Sequence, residues 1–306
     1  MGEILIGLSS WADKSLIACG RFYPPDANDA ASRLQYYASQ FPRLVEVNST
    51  YYGLPAAASA RLWVERTPPR FQFDIKMFSL LTQHPTAVKS LPPDLRKALP
   101  AEVADKENIY LRDVPAEVAE EVLQRYVAAL QPLHAAGKLG AVLTQFPPWF
   151  TPGDASRAHL AWLRDRLAGY LVAVEFRNNR WLSPEKLEDT LDWLAAHELT
   201  YVAVDEPQGF RASVPPVAAV TNSALAYVRF HGRRKEMWAV RGVSVQDKFQ
   251  YLYSPDELKE WVPRLGEMAE RAAAVHVLMN TNYEDYAVRN ARQLSLLLDE
   301  AGIGRG

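Results

Sequence analysis

Eight short apolar runs, several rich in β-branched residues, recur along the 306-residue chain, and amphipathic helical patterns fill most of the gaps between them. The runs are Ile4–Ser9, Leu44–Ser49, Phe71–Lys76, Gly140–Phe146, Leu171–Arg177, Tyr201–Asp205, Leu225–His231 and Val275–Asn280. The helical patterns cover Ala30–Gln40, Ala57–Arg66, Ala116–Leu130, Ala158–Leu167, Pro184–His197, Pro255–Arg271 and Asp285–Leu298. Such alternation predicts parallel strands with crossover helices. Eight such units predict an α/β fold of the TIM type, a (β/α)8 barrel. The length suits a single barrel domain over residues 1–306. Two helix starts are marked by their chemistry: Ser254-Pro255-Asp256-Glu257 reads as a capping box with proline at the first helical position, and Ser183-Pro184 repeats the serine–proline part.

Two stretches depart from an ideal barrel. Residues 77–115, after strand three, are punctuated by Leu91-Pro92-Pro93 and Leu99-Pro100. They predict a long insertion on the mouth side, a lid or pocket wall. Between Asp205 and Leu225 helical periodicity is weak, and Pro215-Pro216 opposes a helix, so helix six is expected to be reduced or missing.

Side chains alternate along a strand. In Val45-Glu46-Val47-Asn48 the valines pack against outer helices, which turns Glu46 and Asn48 inward. The same reasoning places Asp74 and Lys76, Glu175 and Arg177, Asp205, Arg229 and His231, and Asn280 inside, with strand one ending at Ser9 before Trp11 and strand four near Gln145. Ionisable groups therefore gather at the last positions of several strands, on the C-terminal rim where barrel active sites sit. Burying unpaired charge costs several kcal/mol per group, so the cluster needs a reason. Internal pairing is one: Glu175 bridging Arg177 or Arg229, and Asp74 neutralising Lys76. A ligand site is the other, and clustered polar groups at a barrel mouth favour it.

Glu46, Glu175, Asp205 and His231 are the candidate catalytic residues. Carboxylates and an imidazole at one rim suit acid–base chemistry on a sugar-like substrate or a divalent metal. Lys76, Arg177 and Arg229 oppose a metal, and no metal ligand is assigned. Those cations suit a phosphate or carboxylate instead. The substrate-binding candidates are Trp11, Asn48, Tyr52, Lys76, His84, Gln145, Arg177, Arg229, Asn280 and Asn282. His84 comes from the insertion; Tyr51, Tyr52, Trp149 and Trp181 follow strand ends, where rings can stack on a sugar or base. Arg233-Arg234-Lys235 reads as a solvated loop. His276 begins strand eight, at the wrong end for the mouth.

Composition narrows the classes. The net charge of −2 argues against a surface coated for general nucleic-acid or membrane binding. No window is long and apolar enough to span a bilayer. The single Cys19 excludes an internal disulfide and a cysteine-rich zinc site, which fits a cytoplasmic protein. There is no Gly-x-Gly-x-x-Gly after a strand, no P-loop and no Gly-x-Ser-x-Gly elbow, so no nucleotide cofactor is expected.

Several motifs together resemble the DUF72, or YecE-like, family. They are Gly7-Leu8-Ser9-Ser10-Trp11, Arg21-Phe22-Tyr23-Pro24, Val45-Glu46-Val47-Asn48-Ser49-Thr50-Tyr51-Tyr52, Phe71-Gln72-Phe73-Asp74-Ile75-Lys76, Gln145-Phe146-Pro147-Pro148, Val174-Glu175-Phe176-Arg177, Val228-Arg229-Phe230-His231-Gly232 and Asn280-Thr281-Asn282-Tyr283. The resemblance implies a TIM-type barrel and carries no established activity. The chain departs from the usual pattern at Leu8 and Ser10, at Arg234, and at Thr281 between the two asparagines.

The residues point first to an enzyme acting on a small anionic or sugar-like substrate, with hydrolase, isomerase and lyase chemistry equally open. The alternatives are a nucleic-acid-processing or nucleic-acid-binding barrel, by analogy with metal-dependent phosphodiesterases, and a non-catalytic metabolite-binding module. The sequence gives no oligomeric state.

Overall fold

The computed structural model describes residues 1–238 and 249–304. Eight parallel strands form one sheet: β1 (Glu3–Leu8), β2 (Leu44–Val47), β3 (Gln72–Lys76), β4 (Leu139–Gln145), β5 (Val172–Glu175), β6 (Thr200–Asp205), β7 (Leu225–Phe230) and β8 (Ala274–Met279). The ladder order β1-β8-β7-β6-β5-β4-β3-β2 winds the sheet nearly closed into a barrel, with β1 and β2 as its two edges. The main surrounding helices are α1 (Ala30–Gln40), α2 (Ala57–Glu65), α3 (Ala116–Ala135), α4 (Asp154–Arg166), α5 (Leu187–Ala196), α6 (Val262–Arg271) and α7 (Tyr286–Glu300).

The two edges meet without a backbone ladder. Tyr37 of α1, fully buried, fastens them: its hydroxyl accepts from the Leu8 amide and donates to the Leu44 carbonyl, both at 2.9 Å. Higher up, Asn48 Nδ2 donates to the Ser9 carbonyl at 2.8 Å. Gly7 permits the approach, since a Cβ there would stand 2.5 Å from the Leu44 carbonyl oxygen.

The interior is packed. Leu5, Leu44, Ala141, Leu143, Ala173, Val202, Val204 and Leu278 occupy inward positions of the ladder registers and are all buried. Near the bottom, His276 Nδ1 contacts both carboxylate oxygens of Asp74, at 3.1 and 2.9 Å. The outward valines and phenylalanines of the strands bury against the helices, as alternation requires.

Residues 77–115 do form an excursion after β3. It holds 3-10 turns at Ser79–Thr82, Val88–Ser90 and Leu111–Asp113, one-turn helices at Pro93–Lys97 and Ala101–Ala104, and a two-residue antiparallel ladder of Thr86–Ala87 with Asn108–Ile109. Residues 206–224, all described, contain no helix. The Ser254 capping box is present, with Ser254 Oγ and Glu257 each bonding the other's backbone amide. Two helix expectations need correction. Pro255–Arg271 is two helices, Pro255–Lys259 and α6, because Pro263 lacks an N–H to continue the first and serves as first-turn proline of the second. Ser183-Pro184 opens a turn rather than the helix: the Ser183 carbonyl accepts from Lys186 and Leu187, and α5 begins at Leu187.

Candidate functional site

A cavity of about 970 Å³ opens at the C-terminal ends of the strands. Residues following β1 (Ser10, Asp13, Lys14), β2 (Asn48, Tyr51, Tyr52), β5 (Arg177) and β8 (Asn280, Asn282) line it, together with Lys76 and Gln145 at the ends of β3 and β4 and His84 from the insertion. Trp238 and Phe249, from the segment after β7, close another side.

Beneath this lining lies a buried ion network. Arg229 donates through Nε and Nη2 to both oxygens of Glu46, at 2.9 and 2.6 Å, and through Nη1 to Glu175. Tyr227 adds a hydroxyl donor to Glu46. Glu175 also accepts from Gln145 Nε2 at 2.6 Å and pairs with Arg177 Nε at 2.6 Å. Arg177 reaches onward to Glu206 through Nη1 and stacks its guanidinium 5.5 Å from the Trp238 ring. The charges form a chain, Glu46–Arg229–Glu175–Arg177–Glu206, whose last arginine reaches the cavity. Pairing of this kind is what allows charge to remain in a barrel core.

Protonation follows from the same geometry. Burial pushes Glu46 up, against the opposing pull of Arg229 and Lys76. Burial acts the same way on Glu175, but Arg177 and Arg229 outweigh it and hold that carboxyl well below the usual range. Glu206 is raised to about 7, chiefly by burial. His231 is lowered to about 3 by burial and Arg177, so it is a neutral imidazole. Both its nitrogens are engaged: Asn280 Nδ2 donates to Nδ1 at 2.8 Å, and Nε2 lies 2.9 Å from Arg177 Nη2 and 3.1 Å from Glu175 Oε1.

Lys76 differs from the charges of the network. It has no hydrogen-bond or ion-pair partner among the described residues; its Nζ stands 4.6 Å over the Tyr51 ring. Asp74, its partner in the internal-pairing alternative, faces His276 instead. Burial and the nearby Arg229 lower Lys76 to about 7. His84 is positioned by the left-handed Gln83 (φ 62°) that ends the Ser79–Thr82 turn, and by Thr82 Oγ1, 3.0 Å from its Nδ1. Its ring meets Tyr51 edge-on at 5.3 Å, and burial beside Lys76 lowers its pKa to about 3.

The structure brings Asn48, Tyr52, Lys76, His84, Gln145, Arg177, Asn280 and Asn282 to one cavity and sets Glu46, Glu175, Arg229 and His231 directly beneath. Two expected placements fail. Asp205 points outward. The ladder pairs Val204 with Arg229 and Asp205 with Phe230, so the valine is interior and the aspartate is not. Its carboxylate accepts from Trp261 Nε1 at 2.7 Å, the Tyr253 hydroxyl at 2.8 Å, and Arg233 at 2.9 and 2.7 Å. Arg233 is thereby an ion-pair partner, not a solvated loop residue. Trp11 is core: its ring packs against Trp63 and Phe73, and it does not line the cavity.

Glu206 was missed by reading alternation only as far as Asp205. It occupies the inward position that the aspartate does not, with Oε1 accepting from the Val214 amide at 2.8 Å. Among the described residues no group of three or more His, Cys, Asp or Glu side chains is placed to hold a metal ion. The rim carboxylates are instead clamped by arginines.

Over residues 5–304 the sequence matches the family described as "Protein of unknown function DUF72". The chain belongs to the DUF72 family. Among curated DUF72 relatives, the UPF0759 protein YunF of Bacillus subtilis is 32% identical over 299 residues, covering 97% of this chain and 95% of that protein. A DUF72 protein of Enterococcus faecalis superposes with a TM-score of 0.77 at 27% identity, covering 97% of this chain and 95% of the other. One from Thermotoga maritima gives 0.75 at 28% identity, covering 97% and 99%. Outside DUF72, SacUVDE shares the fold alone, at 6% identity and a TM-score of 0.51 over 99% of both chains. No helix of the described chain is long and apolar enough to cross a membrane.

Proposed function

We propose that the mouth is the active site of an enzyme acting on a small anionic, hydroxyl-bearing substrate of sugar-like size, with Lys76 as the acid–base group. One observation carries this reading. Among the described residues the cavity is lined by the cations Lys14, Lys76 and Arg177 and by a single carboxylate, Asp13, while the network carboxylates lie below the lining. Asp13 is occupied in capping its own helix, accepting from the Ser15 and Leu16 amides. A ligand entering the mouth therefore meets positive charge, amides and the rings of Tyr51, Tyr52, Trp238 and Phe249. Arg177 is paired with Glu175 and Glu206, and its remaining Nη hydrogens suit a phosphate or carboxylate. Asn48 Oδ1 is a buried acceptor with no partner among the described residues, an unmet demand that a substrate hydroxyl would satisfy.

The catalytic assignment shifts accordingly. Glu46 and Glu175 are committed to arginine, and His231 has both nitrogens occupied. Glu175 and His231 position Arg177, while Glu46 holds Arg229. Lys76 is poised near neutrality in the cavity wall, the condition for efficient proton transfer at physiological pH.

The test is a ligand screen by thermal shift over sugar phosphates and hydroxy or oxo acids, followed by NMR for turnover. Compounds that stabilise the wild-type protein should lose that effect in Arg177→Met and Lys76→Met. Unchanged affinity in Arg177→Met would sink the reading.

The nucleic-acid alternative has one observation of its own. Tyr52 and Trp149 are 66% and 53% exposed beside the mouth, and rings so placed can stack on bases as well as sugars. Salt-sensitive binding of single-stranded DNA, weakened by Tyr52→Ala and Trp149→Ala, would favour it.

A further inference from the structure

We propose that Lys76 is a covalent nucleophile, forming an imine with a carbonyl substrate that carries a carboxylate or phosphate. The inference rests on the mouth being a small-anion site, names the substrate class of that site, and replaces the acid–base role of Lys76 with a nucleophilic one.

Geometry sets Lys76 apart. An exposed lysine keeps its proton, and one withdrawn from water normally acquires a carboxylate that fixes the proton in place; Lys76 is half-buried in the cavity wall. Here each neighbouring carboxylate is held by something else. Asp74 faces His276 at 2.9 Å, and Arg229 takes both oxygens of Glu46 and one of Glu175. The amine sits in the cavity lining, above the Tyr51 ring face, with Arg229 and Arg177 as like charges nearby. Desolvation beside other cations is the standard means of freeing a lysine for nucleophilic attack. The surroundings also suit the product: Asn48 Oδ1 can accept from the carbinolamine hydroxyl, and Arg177 can hold the anionic end.

The chemistry balances without a co-reactant. The neutral amine adds to the carbonyl carbon; a C–N bond forms, and the C=O π pair passes to oxygen. That oxygen takes a proton while nitrogen gives one up, which yields a carbinolamine. A second proton then converts the hydroxyl into departing water as the nitrogen lone pair forms C=N. The net change is loss of one water and uptake of one proton from solvent, which remains on the imine nitrogen. The protonated imine is an electron sink for breaking a bond on the adjacent carbon, which places the enzyme among lyases or isomerases rather than hydrolases.

The test uses glyoxylate, an aldehyde bearing a carboxylate, with borohydride trapping near neutral pH and peptide mapping. Lys76 should be labelled roughly 100-fold faster than surface lysines, because its free-amine fraction near pH 7 exceeds theirs by more than that factor. Excess inorganic phosphate should protect it. Lys76→Arg, which keeps the cation, should still bind phosphate by calorimetry but lose the label. If phosphate binds and Lys76 is labelled no faster than surface lysines, the imine is wrong and the anion site stands. If neither phosphate nor glyoxylate engages the mouth, both readings fall.

Discussion

Arg229 holds both oxygens of Glu46 with two of its nitrogens, at 2.9 and 2.6 Å, in a site from which water is excluded for both side chains. Breaking such a pair from one side leaves a buried charge unmatched, which costs about 3–5 kcal/mol. Arg229→Met should lower stability by that amount, read from the urea midpoint at unchanged slope. The double variant Glu46→Gln/Arg229→Met should be more stable than Arg229→Met alone, since it removes one of the orphaned carboxylates. A double variant no better than the single would mean that Glu175 carries the whole penalty.

Lys76 titrates near 7 in the folded chain against 10.5 for an unperturbed lysine. Between those values the unfolded state binds more protons, so this group makes stability rise with pH across that window and exacts its full penalty below it. Lys76→Met should therefore raise the melting temperature most near pH 6, with the difference from wild type fading toward pH 10. An anion bound at the mouth favours the charged amine. Phosphate binding near pH 8 should then take up protons, measurable by calorimetry in buffers of different ionisation enthalpy.

His84 runs from 6.5 down to about 3 on folding. The folded chain resists its protonation, so stability is lost as pH falls below the unfolded value. His84→Gln should flatten this part of the acid limb between about pH 6 and pH 4 in a thermal melt series. An unaltered slope would place the acid sensitivity elsewhere, His231 being the next candidate.

Asp205 and Glu206 are adjacent but belong to different sides of the sheet. Asp205→Ala should cost about 1–3 kcal/mol by orphaning Trp261 and Tyr253 donors, and leave ligand affinity unchanged. Glu206→Gln should perturb the mouth instead, because its oxygen supports Arg177. Equal effects of the two on ligand binding would contradict the assigned orientations.

These two residues also show what the sequence could and could not reveal. In Val45-Glu46-Val47-Asn48 the apolar and polar positions alternate, so phase is legible and Glu46 falls inside as expected. Tyr201-Val202-Ala203-Val204 is apolar on both faces because the strand packs against core and helices alike, so no phase can be read and Asp205 was assigned one residue out of step. Trp11 was misread for a related reason: proximity to a strand end does not say whether a ring turns to the mouth or into the packing, and Trp63, which captures it, lies on α2. The insertion, the missing sixth helix and the eight strands were legible from proline placement and periodicity. That Lys76 stands without an ion-pair partner among the described residues was not, since pairing across the barrel depends on registers that no local pattern encodes.

Tyr37→Phe removes one hydroxyl that serves two buried backbone groups, the Leu8 amide and the Leu44 carbonyl. Each orphaned group costs about 1–3 kcal/mol, so destabilisation should exceed that of an ordinary surface tyrosine and come with faster hydrogen exchange at Leu8. Protection at Leu8 equal to wild type would show that the edges hold without the phenol.

That join sits under one wall of the mouth. Ser10, Asp13 and Lys14 stand on one bank of it, and Asn48, Tyr51 and Tyr52 on the other. Elsewhere the staves of the barrel are stitched by ladders, whereas here a phenol and an amide act as a clasp. With no ladder to break, the barrel yields most readily along this line, so replacing the phenol or the amide should loosen the mouth from beneath.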